Sequence, residues 1–255
     1  MPPTPHEAAL FELLQSGVSA GRDGFVGLLR RPATAMSLIR AILRIPKVTA
    51  CIDDGAEGDA VRKGLSRRAR VRVFVHEVTS VLEIPADPAQ YVEGSSKQTL
   101  RRKVRAAERA GVTWKRVTEP EERQALLEAA NEFDRKNPLG RYRHEDADNS
   151  DLFEYRLWLA AYAADGRPLL LSVTPVSSEW AMLRYFRTVE ESDEASLARY
   201  LMTRVLVDEL SAMGARHLAD NVSPIRLSEG LRHFQRMVGF RLVRVALGRR
   251  PAGVA

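Results

Sequence analysis

Six cations within thirteen positions are the first chemistry this sequence offers. Over Ser95 to Val112, SSKQTLRRKVRAAERAGV, the residues Lys97, Arg101, Arg102, Lys103, Arg105 and Arg109 stand beside one acid, Glu108. A cluster of one sign binds phosphate groups or a nucleic-acid backbone. On a helix it also occurs as plain solvated surface. Both readings stay open at this point. Leu100, Val104 and Ala107 fall at i, i+4 and i+7, so the spacing predicts a helix with a narrow apolar stripe. Ser95 or Ser96 is its expected N-cap, and Gly111 its left-handed stop.

Other chemistry is thinner. GVSAG (17–21) matches the G-x-S-x-G nucleophile elbow, which needs a strand before it and a buried helix after it. Here a helical pattern precedes it and Gly24 follows, so the match reads as chance. His6, His76, His144, His217 and His233 show no ligand spacing, and Cys51 is the single cysteine. No internal disulfide and no thiolate-rich metal site is therefore expected. Apolar residues at 45% and charged residues at 28% of 255 fit a globular chain. The net charge of +6 favours polyanionic partners: nucleic acid, nucleotide phosphates or an anionic membrane surface. The N-terminal MPPTPHEAALFELLQSG has no cationic segment leading into an apolar one, and no apolar run approaches ~18 residues. A cytoplasmic protein without a transmembrane segment is expected.

The elements that must position this chemistry follow from periodicity. Residues 7–16 pattern as a short amphipathic helix. Residues 25–45 are apolar with Arg30, Arg31, Arg40 and Arg44 interspersed, split at Pro32. Lys47 to Ile52 read as a strand, Ala60 to Leu65 as a helix, and RRARVR (67–72) as a second basic cluster. Strands are expected at 71–75 and over Val78 to Ile84. After the basic helix come a strand over Thr113 to Thr118 and a helix over Glu119 to Lys136, with Leu126, Leu127, Ala130 and Phe133 inward. A polar loop (137–150) and a helix over Leu152 to Ala164 follow. Two strands, Pro168 to Val176 and Trp180 to Val189, form a hairpin. A helix over Leu197 to Met213, a strand over Arg216 to Asn221, a helix over Leu227 to Val238 and a strand over Phe240 to Leu247 complete the chain.

That order, β-α-α-β-β-α-β-α-β from residue 113, resembles the GCN5-related N-acetyltransferase (GNAT) fold. HFQRMVGFRLV (233–243) is similar to the family's C-terminal FYxxxGF segment, with Gly239 and Phe240 as its glycine and aromatic. SSKQTLRRKVRAAERAGVTW resembles the entry into the second acyltransferase domain of FemAB-like proteins, where a Lys/Arg-rich helix ends in glycine before the first strand. The resemblance spans roughly 80–247. It implies an α+β fold with a mixed, mainly antiparallel central sheet flanked by helices, extended by an N-terminal helical segment and a small sheet. The implied domains are a helical segment (1–45), a small β-rich subdomain (46–94) as a reduced first half, the acyltransferase domain (95–250) and a tail (251–255).

By the same resemblance the chain is expected to be an N-acyltransferase. It would move an acyl or aminoacyl group from a CoA thioester or a charged tRNA to a small-molecule or peptide amine. No tightly bound cofactor is expected; acyl-CoA or aminoacyl-tRNA serves as co-substrate. The alternatives are a nucleic-acid-binding protein without catalysis and a GNAT-like binding module. The charge favours the first alternative, and two departures from the family pattern favour the second, although glycine-free versions of the loop occur in the FemAB-like branch. The family's glycine-rich pyrophosphate loop corresponds to EESDEASLARYL (190–201), which has no glycine and four acids. Its frequent general-acid tyrosine falls on Gln235. Oxyanion donors would be backbone N–H groups within 183–189. Asp220 would orient the amine, beside Asn221, with Glu190 or Glu191 as base and Tyr200 as an alternative acid. Arg199, Arg101, Arg102 and Arg105 would contact phosphates.

Overall fold

The computed structural model describes residues 42–66, 77–137, 149–224 and 227–248, with the single positions 36, 40 and 143. The expected helices over 7–16 and most of 25–45, GVSAG, the 67–72 cluster, the 71–75 strand, most of the 137–150 loop and the 251–255 tail lie outside those residues.

Among the described residues, ten strands fall into two sheets. In chain order they are β1 (Lys47–Cys51), β2 (Glu77–Glu83), β3 (Thr113–Arg116), β4 (Leu157–Tyr162), β5 (Pro168–Thr174), β6 (Val176–Ser177), β7 (Trp180–Leu183), β8 (Tyr185–Thr188), β9 (His217–Asp220) and β10 (Arg241–Gly248). The helices described over their full length are α1 (Ala56–Leu65), α2 (Gln98–Arg109), α3 (Pro120–Lys136), α4 (Asp193–Ala212) and α5 (Glu229–Val238). One sheet has the order β1-β10-β2-β9-β7-β6, the other β3-β4-β5-β8. Pairing is antiparallel except for β1 with β10 and β7 with β9. The expected α+β class, mixed and mainly antiparallel, is what forms. Residues 46–94 contribute β1 and β2 to the six-stranded sheet, against β10 and β9.

One expected element does not form. Residues 152–164 are not a helix but a 3-10 turn (Ser150–Glu154) followed by β4. Leu157 to Ala161 are all fully buried, because β4 lies between β3 and β5 with both faces covered. Leu157, Leu159 and Ala161 meet the core under α2 and α4. Trp158 and Ala160 meet Leu126, Leu127 and Ala130 of α3 on the other face. The observed order from 113 is thus β-α-β-β-β-α-β-α-β, with the 168–188 hairpin itself broken into β5 to β8.

The basic helix forms with Leu100, Val104 and Ala107 buried, and Gly111 at φ 76° ends it. Its expected cap does not. Ser95 and Ser96 lie in a 3-10 turn before Lys97, and neither caps α2. The helix start is held from the side instead: Arg101 donates to Val92 O at 2.6 Å and Gly94 O at 2.8 Å.

The two sheets share one bent hairpin. The run 180–188 is interrupted at Arg184, whose N–H donates back to Met182 O at 2.8 Å in a tight turn centred on Leu183. Before the bend, β7 pairs with β9 as far as Leu183 opposite Asp220. Past it, β8 swings to β5 and leaves β9. No helix among the described residues is long and apolar enough to cross a membrane, and no group of three or more His, Cys, Asp or Glu there could hold a metal ion.

Candidate active site

The parting of β8 from β9 makes a fork, and backbone parity decides what faces it. Val189 donates to Leu169 O, so the pair 169/189 is hydrogen-bonded, and by alternation so are 171/187 and 173/185. The N–H groups of Phe186 and Thr188 therefore point to the opposite edge of β8. That edge carries no strand among the described residues. Two amides aimed into a fork are the arrangement an oxyanion needs.

Asp220 ends β9 at the point of divergence and is 9% exposed. Its Oδ1 accepts from Val222 N at 2.8 Å, and its Oδ2 accepts from Gln235 Nε2 on α5. Gln235 is 6% exposed. A carboxylate that ends a strand, buried and hydrogen-bonded at both oxygens, is held in one orientation. Gln235 therefore serves as the group that fixes Asp220 rather than as a proton donor. Nothing local in HFQRMVGF marks that pairing; only the fold brings the two together.

The helix carrying Gln235 is itself anchored. Ser228 caps α5 through Leu231 N, and Gly239 at φ 108° stops it. Val238 O, the last free carbonyl, accepts from Tyr91 Oη at 2.6 Å and from Lys97 Nζ at 2.7 Å. A Cβ at position 239 would collide with Lys97 Nζ. Burial, with the Arg241 charge adding to it, lowers the Lys97 ammonium to about 8. The folded chain then releases this proton before the unfolded chain does, whose lysine titrates near 10.4. Stability is expected to be lowest below pH 8 and to climb from there toward pH 10. Above about pH 10 the trend reverses, because burial pushes the Tyr91 phenol well up while unfolded tyrosine ionises. Urea midpoints measured across this range check the sign, and Lys97→Met should flatten the climb.

The acids of 190–194 are not an open loop. Ser192 caps α4 by accepting from Ala195 N at 3.0 Å, and Asp193 and Glu194 form its first turn, four residues before the expected start at Leu197. Arg167 meets Glu190 and Glu194. It holds the Glu190 carboxyl below the usual carboxylate range, with Ser192 assisting and burial opposing. A carboxylate so held is a weak base. Glu191 is exposed. On the next turn Arg199 donates to Thr188 Oγ1 at 3.4 Å, at the far end of β8. Tyr200 packs edge-on to Phe234 of α5, centroids 5.1 Å apart, with Lys103 of α2 on its ring. Burial raises its phenol. His217 lies on Trp180 at 4.5 Å, and burial lowers its imidazole, as for a packed histidine.

The face of β8 toward α3 carries a polar set with no sequence signal. Asp134, 3% exposed, accepts from Arg187 at 2.9 Å and Tyr185 Oη at 3.3 Å. Asp151 takes both Arg184 nitrogens at 2.7 and 2.8 Å and the Tyr155 hydroxyl at 3.1 Å. These ties fix the bend at Arg184 from one side, as Asp220 and Gln235 flank it from the other.

No protein-family model matches the sequence, and no curated protein sequence does. Among solved structures, the crystal structure of FemX matches with a TM-score of 0.51 at 10% identity, over 69% of this chain and 61% of that one. The structure of L-PGS from Bacillus licheniformis matches with a TM-score of 0.48 at 14% identity, over 65% of this chain and 57% of that one. The matches thus cover less than two thirds of either solved chain. The likeness to FemX shows the fold alone: the chain has a GNAT-like architecture, with β3, α3, β4, β5, β7–β8, α4, β9, α5 and β10 in that order.

Proposed function

We propose that the chain is an acyltransferase that moves an acyl or aminoacyl group from a CoA thioester or a charged tRNA to an amine. The observation that carries this is the fork. In a GNAT-like sheet, two outward amides of β8 face the end of β9, where Asp220 is oriented by Gln235. The Phe186 and Thr188 amides would polarise the acyl carbonyl and hold the oxyanion as the amine adds. Asp220 would accept a hydrogen bond from the attacking amine and take the proton that the nitrogen loses as the C–N bond forms. That proton would pass to the sulfur or ribose oxygen as the C–S or C–O bond breaks, so the thiol or hydroxyl leaves neutral. Arg199, at the Thr188 end of β8, would contact the phosphates of the donor.

Thermal unfolding with CoA, acetyl-CoA, longer acyl-CoAs and aminoacyl-tRNA tests the reading. A donor at ~100 times its dissociation constant adds about 2.7 kcal/mol. At about 2–4 °C per kcal/mol that raises the midpoint by about 5–11 °C. A shift with one donor class names it, and amine acylation with that donor completes the case. No shift with any of them, and no transfer, removes the proposal. The binding-module reading then takes its place. Gln235 at the acid position and the acids Glu190 and Glu194 at the start of α4 favour that second reading.

A further inference from the structure

We infer that the outer face of α2 binds the sugar-phosphate backbone of a nucleic acid, without reading its sequence. Arg102, Arg105 and Arg109 are exposed along this face, and among the described residues none has a carboxylate partner. Glu108, the sole acid of the helix, is taken by Arg204 at 3.6 Å. This sets α2 apart. Elsewhere Arg116, Arg156, Arg167, Arg184 and Arg187 each meet a carboxylate. Arg101, expected from sequence to share the role, is instead fastened to Val92 O and Gly94 O and holds the helix in place.

An open hollow of about 840 Å³ lies between the side chains of this face, lined by Gln98, Arg101, Arg102, Arg105, Glu108 and Arg109. Arg102 to Arg109 is seven residues, ~10.5 Å of helix at 1.5 Å per residue. That length faces about three phosphates of one strand, at ~3.4 Å of axis each. A membrane surface fits less well. Helices that lie on lipid place apolar side chains beside their cations, whereas Leu100, Val104 and Ala107 are buried here. None of the exposed large apolar residues (Met36, Leu43, Trp114, Phe153, Leu247) is on α2.

The test reads binding alone, so it stands or falls apart from the transfer reading. Fluorescence anisotropy of a labelled RNA hairpin is followed from about 50 to about 300 mM KCl, with the full chain and two triple variants. R102Q/R105Q/R109Q removes the face; K63Q/R135Q/K136Q removes the same charge from exposed positions elsewhere. Both are checked for folding by circular dichroism. The α2 variant should bind at least ~10-fold more weakly at low salt and lose about 2–3 from the log–log salt slope, at about 0.7–0.9 per phosphate. The control should bind as the parent does. Equal loss in both variants, or none in the α2 variant, overturns the inference. So does absence of hairpin binding at low salt; α2-dependent binding to vesicles containing phosphatidylglycerol would then identify a membrane surface as the occupant.

Discussion

Asp220→Asn is expected to lower kcat/KM for acyl transfer by about 100-fold or more while leaving the melting point nearly unchanged. The geometry separates the two effects. Asparagine keeps an oxygen for Val222 N, and Gln235 can turn its amide to accept from the new NH2, so both hydrogen bonds survive. What disappears is the negative charge at the end of β9. A positioned carboxylate that assists proton movement contributes typically about 10²–10⁴ in rate. Steady-state kinetics and thermal unfolding of the same preparation decide the matter. Undiminished transfer at saturating substrate takes Asp220 out of the chemistry. Asp220→Ala is the harsher control, because it leaves Gln235 Nε2 and Val222 N without their acceptor at a cost of about 1–3 kcal/mol.

The largest stability effect is expected at Trp158. Its ring is fully buried at the centre of β4, its Nε1 donates to Tyr155 O at 3.0 Å, and the Arg123 guanidinium lies 5.3 Å from its ring centroid. Trp158→Ala should cost about 3–5 kcal/mol. For a chain of this size that lowers the midpoint by about 6–20 °C. Trp158→Phe keeps most of the buried area and loses only the indole hydrogen bond, so it should cost markedly less. Equal losses for the two would mean that the hydrogen bond, and not the packed area, is what β4 depends on.

Trp158 also marks where periodicity stops informing. A run such as LWLAAY has no alternation because β4 is covered on both faces, and its aromatic content suits a buried helix equally well. The elements with one wet face were legible: the α2 stripe of Leu100, Val104 and Ala107, the inward Leu126, Leu127 and Ala130 of α3, and the glycine stops at Gly111 and Gly239. The missing turn of α4 had a signal, since Ser192 followed by Asp193 and Glu194 is a cap with dipole-compensating acids. The Ser95 and Ser96 cap failed because Arg101 secures the backbone before α2 from across the turn.

The candidate site was legible in part. Asp220 stood out as a carboxylate at a strand end, and the β8 amides as backbone donors. Which amides face the fork depends on hydrogen-bonding parity set by β5, twelve or more residues away. The Gln235–Asp220, Arg167–Glu190 and Arg187–Asp134 pairs are long-range, and no local spacing announces them.

The position of β10 has a consequence for how this protein is made. β10 inserts between β1 and β2, which do not pair with one another, so Lys47 waits for Arg244 and Val81 for Arg241. At about 5–20 residues per second, the ribosome needs on the order of ten seconds to travel from β2 to β10. Throughout that interval two early strands hold open backbone edges that only the late strand can close. Such an interval is a window for mispairing and for chaperone engagement, and native-like structure in the six-stranded sheet should come last.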